Sequence, residues 1–363
     1  MKADKKKNSR IYICHTYYHV YTAVVREILS QRSCDVKADI ILSSMSNDFE
    51  SLNKRLKNSG LFNDVYLFDE QLDKTSPEVM QYKVNTGSFV KNLIQRIKYT
   101  KALGKLQEAY MPVDASLYSD VYVFCDSDPI GYYLNYKKIH YHALEDGLNC
   151  GRLDDQARNS NQGLFWLKRL IAKTGLIFIE CGYSRYCIDY IVNDISQNLN
   201  PPKNVVEWRC SDKYKLLTEK DHLLIIDIFL ENPKGLLDLF NPEEKKPYLM
   251  ILTEPLCGLD VRERLFRDIV DNYSDKYKVI IKPHPRDELN YSERFPDTIV
   301  ITQRFPMEIM NDIPNLTIDK VVSVITQIDD ISFAKEKEYL GLDFLDKYED
   351  ASVHRKIGSH SDI

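Results

Sequence analysis

The sequence lacks the long apolar segments of membrane-spanning and secreted proteins. No apolar run reaches the roughly 18 residues that a membrane-spanning helix needs. The first residues are rich in lysine, but the apolar core of a signal peptide does not follow them. We therefore predict a cytoplasmic protein, with the inner face of the membrane as the alternative location.

Zinc-type cysteine spacing and an excess of positive charge are also absent. None of the eight cysteines is paired with another across the two-residue gap typical of zinc sites. The formal net charge is −5, which argues against a general nucleic-acid-binding protein. Internal repeats and low-complexity linkers are missing, while 44% hydrophobic and 28% charged residues are typical of a globular chain.

The chain of 363 residues exceeds what one hydrophobic core usually organises, so we expect two domains. Strand-like and helix-like runs alternate along it, which predicts parallel, doubly wound sheets. The predicted fold is α/β, with two Rossmann-like domains facing a cleft, the GT-B architecture. The predicted domains span residues 1–212 and 213–350, joined by an irregular crossover at 203–219 and followed by a polar tail at 351–363. The predicted strands are 10–14, 38–42, 64–68, 120–125, 138–142, 176–180, 248–252, 278–281, 298–302 and 320–325.

A stiff turn follows the predicted strand at residues 278–281. His284 lies between two prolines there, with Lys282 and Arg286 beside it. Because proline fixes φ, such a turn can aim an imidazole into the cleft, where ligands of doubly wound sheets bind. His284 is then suited to protonate or neutralise the leaving phosphate of a nucleotide-linked donor substrate. Lys282, Arg286 and Pro285 are candidate contacts of the same donor. The alternative is a rigid surface turn.

Three carboxylates compete for the role of general base. Glu145 and Asp146 precede a glycine directly after the predicted strand 138–142, where they form either a base or an acidic turn. Asp260 follows the strand 248–252, and it either serves as a base or caps the helix predicted at 261–273. Glu254, from the same segment, is a candidate donor contact.

The donor side contains further polar residues near strand ends. Glu308 follows Pro306 at a predicted helix start and can accept hydrogen bonds from a ribose, or simply suit the helix dipole. Ser323, Thr326 and Gln327 follow the last predicted strand, where hydroxyl and N–H groups can hold a phosphate.

Two other patterns have a structural and a functional interpretation. Asp126 and Asp128 form a D-x-D motif that can bind a divalent metal, although Asp128 before a proline also fits a helix entry. We favour the helix entry and predict no metal and no other cofactor. His15 and His19 lie four residues apart and, with Tyr18, either line the acceptor side or pack locally.

The order of these motifs resembles glycosyltransferase family 52, the bacterial lipooligosaccharide and capsule sialyltransferases. That family carries an acidic-acidic-glycine motif in its first domain and a His-Pro motif in its second, here at Glu145–Gly147 and His284–Pro285. The resemblance implies an acceptor-side base among Glu145, Asp146 and Asp260, an acid or phosphate stabiliser at His284, and a ribose contact at Glu308. The sequence departs from the family at residues 323–327, where related enzymes often carry adjacent serines.

The resemblance implies an inverting, metal-independent transfer of sialic acid or a related acidic sugar from a CMP-sugar to a bacterial surface glycan. The expected partners are thus a nucleotide sugar and a glycan acceptor, without nucleic acid. Residues 165–173 mix apolar and basic side chains, which predicts either peripheral membrane contact or a core-packed helix. The alternatives are a polymer glycerophosphotransferase, a transferase using another nucleotide sugar, and a non-catalytic glycan- or nucleotide-binding protein.

Overall fold

The computed structural model describes residues 6–147, 156–197, 202, 204–240, 243–350 and 353. The chain divides into two compact units, Met1–Leu216 and Leu217–Ile363. The sequence predicts the domain boundary at residue 212. Most of the predicted tail at 351–363 lies outside the described residues.

The first unit is built on a seven-stranded parallel sheet with the strand order β3-β2-β1-β4-β5-β6-β7. Its central strands are apolar because both faces of the sheet are covered, as in doubly wound folds. Ile13 of the first strand pairs with Ile41 and Val123 on either side, and all three are fully buried. The strands are β1 (Lys6–Cys14), β2 (Asp39–Ser43), β3 (Val65–Phe68), β4 (Tyr118–Phe124), β5 (Tyr141–Leu144), β6 (Cys187–Val192) and β7 (Val205–Glu207).

Helices connect these strands and cover the sheet. The first helix starts at Tyr17, where the Thr16 side chain accepts a hydrogen bond from the His19 N–H at the N-cap. The helices are α1 (Tyr17–Gln31), α2 (Glu50–Ser59), α3 (Pro77–Met80), α4 (Phe89–Glu108), α5 (Pro129–Lys137), α6 (Gln156–Ser160), α7 (Phe165–Ala172) and α8 (Cys210–Tyr214), with 3-10 turns at Asp73–Thr75, Ala115–Leu117 and Ile195–Gln197.

The second unit has a five-stranded parallel sheet with the order β10-β9-β8-β11-β12. Its core joins apolar residues of the central strands to the inner face of a long helix, including Ile251, Phe266 and Ile281. The elements are β8 (Tyr248–Leu252), β9 (Lys278–Lys282), β10 (Ile299–Val300), β11 (Ile318–Ser323), β12 (Ala334–Tyr339), α9 (Glu219–Phe229), α10 (Pro233–Leu237), α11 (Leu259–Ser274), α12 (Tyr291–Arg294) and α13 (Leu342–Leu345), with a 3-10 helix at Met307–Asp312.

The α/β class and the two doubly wound sheets predicted from the sequence are confirmed, whereas several elements differ. Residues 176–180 are not a strand although they are apolar, and the sheet continues instead with β6. The predicted irregular crossover at 203–219 contains β7 and α8, and the charged edge strand β12 was missed because its sequence lacks apolar alternation. Among the described helices, none combines the length and apolar character that a membrane crossing requires.

Candidate functional site

The predicted acidic turn of the first unit follows β5, and its two carboxylates have different surroundings. Glu145 is 8% exposed, and its Oε1 accepts hydrogen bonds from the backbone N–H (2.6 Å) and the side-chain amide of Asn193. Burial raises the pKa of Glu145 to about 7, against the effect of the Asn193 donors. The same amide lies 3.4 Å from the Tyr18 hydroxyl. Glu145 is thus held inside the turn, and Tyr18 packs beside it.

Asp146 is the more accessible of the two carboxylates, with its side chain 34% exposed. Its Oδ1 lies 2.8 Å from Nε2 of His19, which is fully buried and stacks on Phe124. Nδ1 of His19 accepts the backbone N–H groups of His15 and Thr16. Because Nδ1 is an acceptor, Nε2 must carry the proton, and the Nε2–H donates a hydrogen bond to Asp146. His19 therefore acts on the acidic turn from inside the protein and is too buried to reach an acceptor sugar.

His15 lies at the centre of a second buried group. Its Nε2 is 2.8 Å from Glu70 and 3.6 Å from Asp128. Burial alone would lower the pKa of His15, but the charges of these carboxylates outweigh it and raise the pKa to about 9. Burial also raises the pKa of Asp128, to about 7. His15 thus belongs to a buried ion cluster.

The D-x-D motif is divided between two structural roles. Asp126 is 2% exposed and accepts hydrogen bonds from the Cys181 and Gly182 N–H groups and from the Tyr141 hydroxyl. Asp128 is the N-cap residue of α5, as predicted, although its side chain makes no capping hydrogen bond. Glu70 accepts the N–H of Ile130 in its place, at 2.7 Å. Throughout the described ranges, no three His, Cys, Asp or Glu side chains are grouped to hold a metal ion.

The predicted His-Pro turn of the second unit follows β9. Nδ1 of His284 accepts the backbone N–H of Arg286 at 3.1 Å, so the neutral imidazole carries its proton on Nε2. Burial and the positive charges of Arg286 and Lys282 lower the pKa of His284 to about 3. His284 is half-buried, as is Pro285, and Arg286 is exposed. At neutral pH the turn therefore presents an uncharged N–H donor with an accessible guanidinium beside it.

Lys282 was predicted as a contact of the donor phosphate, but its ammonium group is buried inside the protein. It is 3% exposed, and its Nζ donates to the backbone carbonyls of Phe305 (2.9 Å) and Pro283 (3.3 Å). The ammonium also lies 4.1 Å from the centre of the Phe305 ring. Burial lowers the pKa of Lys282 to about 7. Lys282 therefore ties the His-Pro turn to the segment that precedes Glu308.

Glu308 lies in the 3-10 helix Met307–Asp312 and is half-buried. Burial raises its pKa to about 7, and the charge of Lys282 opposes that shift. The sequence predicted a helical start at Pro306, and Pro306 is the N-cap residue of this 3-10 helix. Glu308 remains a predicted ribose contact.

The segment that follows β11 is hydrogen-bonded to the buried carboxylate of Glu254. Glu254 is 5% exposed, and its Oε1 accepts the N–H groups of Ile325 (3.2 Å) and Thr326 (2.6 Å). Ser323 donates its hydroxyl to the Thr326 carbonyl. Two N–H groups and one hydroxyl expected to hold a phosphate are thus used inside the protein, whereas Gln327 is half-buried beside them. Burial raises the pKa of Glu254 to about 7.

Asp260 is the second residue of α11, and Gly258 takes the N-cap position. The alternative interpretation of Asp260 as the cap is therefore wrong. Its side chain is exposed, and within the described part of the chain no hydrogen bond or ion pair engages its carboxylate. Of the three predicted base candidates, Asp260 has the carboxylate that is least engaged in contacts with other residues.

Sequence reasoning missed three residues that surround the His-Pro turn. Thr253 and Arg262 are buried, as is the side chain of Asp287, and the three are hydrogen-bonded to one another or to the turn. Only Asp287, three residues after His284 in a proline-rich turn, had a local signal, since Asp commonly closes turns. The partners Thr253 and Arg262 are distant in sequence, and no pattern connects them with the turn.

A family model and a relative in sequence match parts of the chain. The model of glycosyltransferase family 52 matches residues 73–326. An uncharacterized protein of Haemophilus influenzae is 36% identical over 97 residues, which are 25% of this chain and about 30% of that protein's length.

Two solved sialyltransferases are similar to the chain in structure. The α/β-galactoside α-2,3-sialyltransferase of the luminous marine bacterium Photobacterium phosphoreum has a TM-score of 0.53 at 12% identity, covering 92% of this chain and 91% of that one. The sialyltransferase of Photobacterium damsela has a TM-score of 0.50 at 12% identity, covering 91% and 74%. At such identities the likeness shows the fold alone, and the predicted GT-B fold class is confirmed.

The family match covers more than half of the chain and includes the acidic turn, Asp260 and the His-Pro turn. The resemblance inferred from the motifs is thereby confirmed. The chain belongs to glycosyltransferase family 52.

Proposed function

We propose that the protein is an inverting sialyltransferase that moves sialic acid, or a related acidic sugar, from a CMP-sugar to a hydroxyl of a bacterial surface glycan. The observation that carries this proposal is the His-Pro turn, which presents the Nε2–H of His284 beside the exposed Arg286. Together they offer a neutral donor and a positive charge to a departing phosphate. The two Photobacterium sialyltransferases that share the fold support the choice of a sialyltransferase.

In the proposed reaction the acceptor oxygen forms a bond to the anomeric carbon while the bond from that carbon to the phosphate oxygen breaks. The hydroxyl proton passes to a carboxylate, and CMP leaves with the bonding electrons. His284 Nε2–H donates a hydrogen bond to the phosphate as its charge grows. Glu308 accepts hydrogen bonds from the ribose. Attack from the face opposite the leaving group inverts the anomeric centre.

We propose Asp260 as the base, with Asp146 as the alternative. A base must reach the substrate hydroxyl, and both carboxylates have exposed surface. Glu145 is less suited to proton transfer, because it is buried and its Oε1 is engaged by Asn193. Its part in the proposed reaction is to hold the acidic turn.

CMP is expected to stabilise the protein against heat more than UDP or GDP does. A ligand at 100 times its Kd adds about 2.7 kcal/mol to the free energy of unfolding, so specific binding gives a clear rise in Tm. The measurement is a thermal-shift screen of the nucleotides at equal concentration. Stronger stabilisation by UDP would point to another nucleotide sugar. A glycerophosphotransferase also releases CMP, so transfer from CDP-glycerol but not from CMP-sialic acid would identify that alternative. CMP binding without transfer from either donor would indicate a non-catalytic binding protein.

Transfer is expected to continue after chelation of divalent metals. The carboxylate of Asp126 is occupied by three internal donors, which leaves it poorly placed to coordinate a metal. The test compares the initial rate in EDTA with the rate in added Mn²⁺ or Mg²⁺. A rate that collapses in EDTA and returns with Mn²⁺ would overturn metal-independent transfer and make Asp126 and Asp128 metal-ligand candidates.

Action on a surface glycan is consistent with one exposed feature of the first unit. Helix α7 leaves Trp166 63% exposed and Leu170 51% exposed, beside Lys168 and Arg169. The opposite face of the helix packs through Ala172 into a small apolar core. Peripheral contact with the membrane and a cytoplasmic location remain proposals.

A further inference from the structure

The backbone of His284 is fixed from both sides. Its N–H donates to the Thr253 hydroxyl at 3.1 Å, and its carbonyl accepts the N–H of Asp287 at 2.8 Å. Thr253 in turn donates its hydroxyl hydrogen to Asp287 Oδ2 at 2.7 Å. The three residues form a closed ring of hydrogen bonds, so the direction in which the imidazole leaves the chain depends on Thr253 and Asp287.

The Asp287 carboxylate is the centre of this network, with its side chain fully buried. It accepts four hydrogen bonds, from Arg262 Nη1 (2.6 Å), Thr253 Oγ1 (2.7 Å), Tyr291 Oη (2.8 Å) and Leu289 N (3.1 Å). A buried carboxylate with this many donors has one well-defined orientation. The turn that carries His284 is therefore built on a rigid base.

Arg262 connects that base to α11. It lies two residues after Asp260 in the first turns of the helix, and its side chain is 8% exposed. One guanidinium nitrogen donates to Asp287, and the other donates to the Cys257 carbonyl just before the helix. The ion pair therefore ties the helix that presents Asp260 to the turn that presents His284.

We propose that Thr253, Arg262 and Asp287 are positioning residues that fix the proposed base Asp260 and the proposed phosphate donor His284 relative to each other. The inference rests on the proposed function, because it assigns the network a purpose in that reaction. Bound reactants and catalytic groups must hold a near-attack geometry, and small displacements cost large factors in rate. None of the three residues needs to touch the substrate.

The matched pair Thr253→Val and Thr253→Ser tests the proposal. Valine keeps the shape of threonine but removes the hydroxyl that joins His284 to Asp287, whereas serine keeps it. We expect kcat to fall about 10- to 100-fold in the valine variant and to stay within about threefold of wild type in the serine variant. The Kd of CMP should change less than about twofold in both. Thr298→Val, which removes a hydroxyl that donates to the Phe295 carbonyl, serves as a control that leaves kcat unchanged.

A double variant separates positioning from folding. Arg262→Met combined with Asp287→Leu removes both charges of the buried ion pair, so neither charge is left buried without its partner, as happens in each single variant. We expect its Tm to exceed that of either single variant while kcat stays at least about 10-fold below wild type. Near-normal kcat in this variant, or in Thr253→Val, would show that the network serves folding alone.

Nitrogen NMR of His284 gives a readout that does not need turnover. Wild type and Thr253→Ser should show one imidazole tautomer with the proton on Nε2, because the fixed turn keeps the Arg286 N–H on Nδ1. Thr253→Val releases the His284 backbone, so that this hydrogen bond is no longer held in place and the tautomers should exchange. An unchanged spectrum in Thr253→Val would overturn the positioning role. Absence of transfer from CMP-sialic acid by the wild-type protein would instead overturn the proposed function, so the two failures are distinguishable.

Discussion

Replacing His284 with Ala is expected to lower kcat by about 10²–10⁴, with a smaller change in the donor KM. In the proposed mechanism the substitution removes the N–H that faces the leaving phosphate, a hydrogen bond that strengthens as the phosphate gains charge. An interaction made mainly in the transition state affects kcat more than binding. Turnover and CMP affinity are measured together, with the exposed His140→Ala of the first unit as the control. Near-normal turnover in His284→Ala would defeat the mechanism.

The protonation state of His284 sharpens this prediction. Because its pKa is lowered to about 3, the imidazole is uncharged in the free enzyme between pH 5 and 8. The pH profile of kcat/KM should therefore show no limb from His284 between pH 5 and 8. A neutral donor can be partly replaced by an amide, so His284→Gln should retain more activity than His284→Ala. Equal activities of the two variants would favour proton transfer by His284 over hydrogen bonding.

The parts of the fold that the sequence predicted are those with a local signal. β8 was predicted with its observed bounds because an apolar run of five residues lies between Pro247 and the polar Thr253. The segment 176–180 has the same kind of pattern but is not part of the sheet, since Ile177 and Ile179 pack instead with Ala157 and Ala172. Periodicity reports that residues are buried, and it does not report what covers them.

In the candidate site, too, the sequence predicted the residues that have a local pattern and missed the contacts between distant residues. His284 could be found because the two prolines and the cations lie beside it in the sequence. The occupation of Glu145 by Asn193, and of Glu254 by the N–H groups after β11, involves residues 48 to 72 positions apart. Such distant partners decide whether a carboxylate is accessible to substrate or engaged in hydrogen bonds within the protein. Composition and spacing therefore identified the type of site but could not rank its acids.

Replacing Asp260 with Asn is expected to lower kcat by about 10²–10⁴ without weakening CMP binding. The amide keeps the size of the side chain but cannot take up the acceptor proton. Asp260 is exposed on the first turn of α11, so the substitution should leave Tm nearly unchanged. The measurement is turnover with saturating donor, together with CMP affinity and Tm.

Glu145→Gln and Asp146→Asn are the matched controls for this loss of a carboxylate. Glu145 is not needed as a base in the proposed reaction, and the amide oxygen of a glutamine in its place can still accept both donors of Asn193, so Glu145→Gln should stay within a few-fold of wild type. In Asp146→Asn the new amide oxygen can still accept a hydrogen bond from the His19 Nε2–H. A large loss in Asp146→Asn with near-normal turnover in Asp260→Asn would move the base to the first unit. Normal turnover in all three variants would mean that none of these carboxylates takes the proton, and an inverting transfer with a protein base would have to be abandoned.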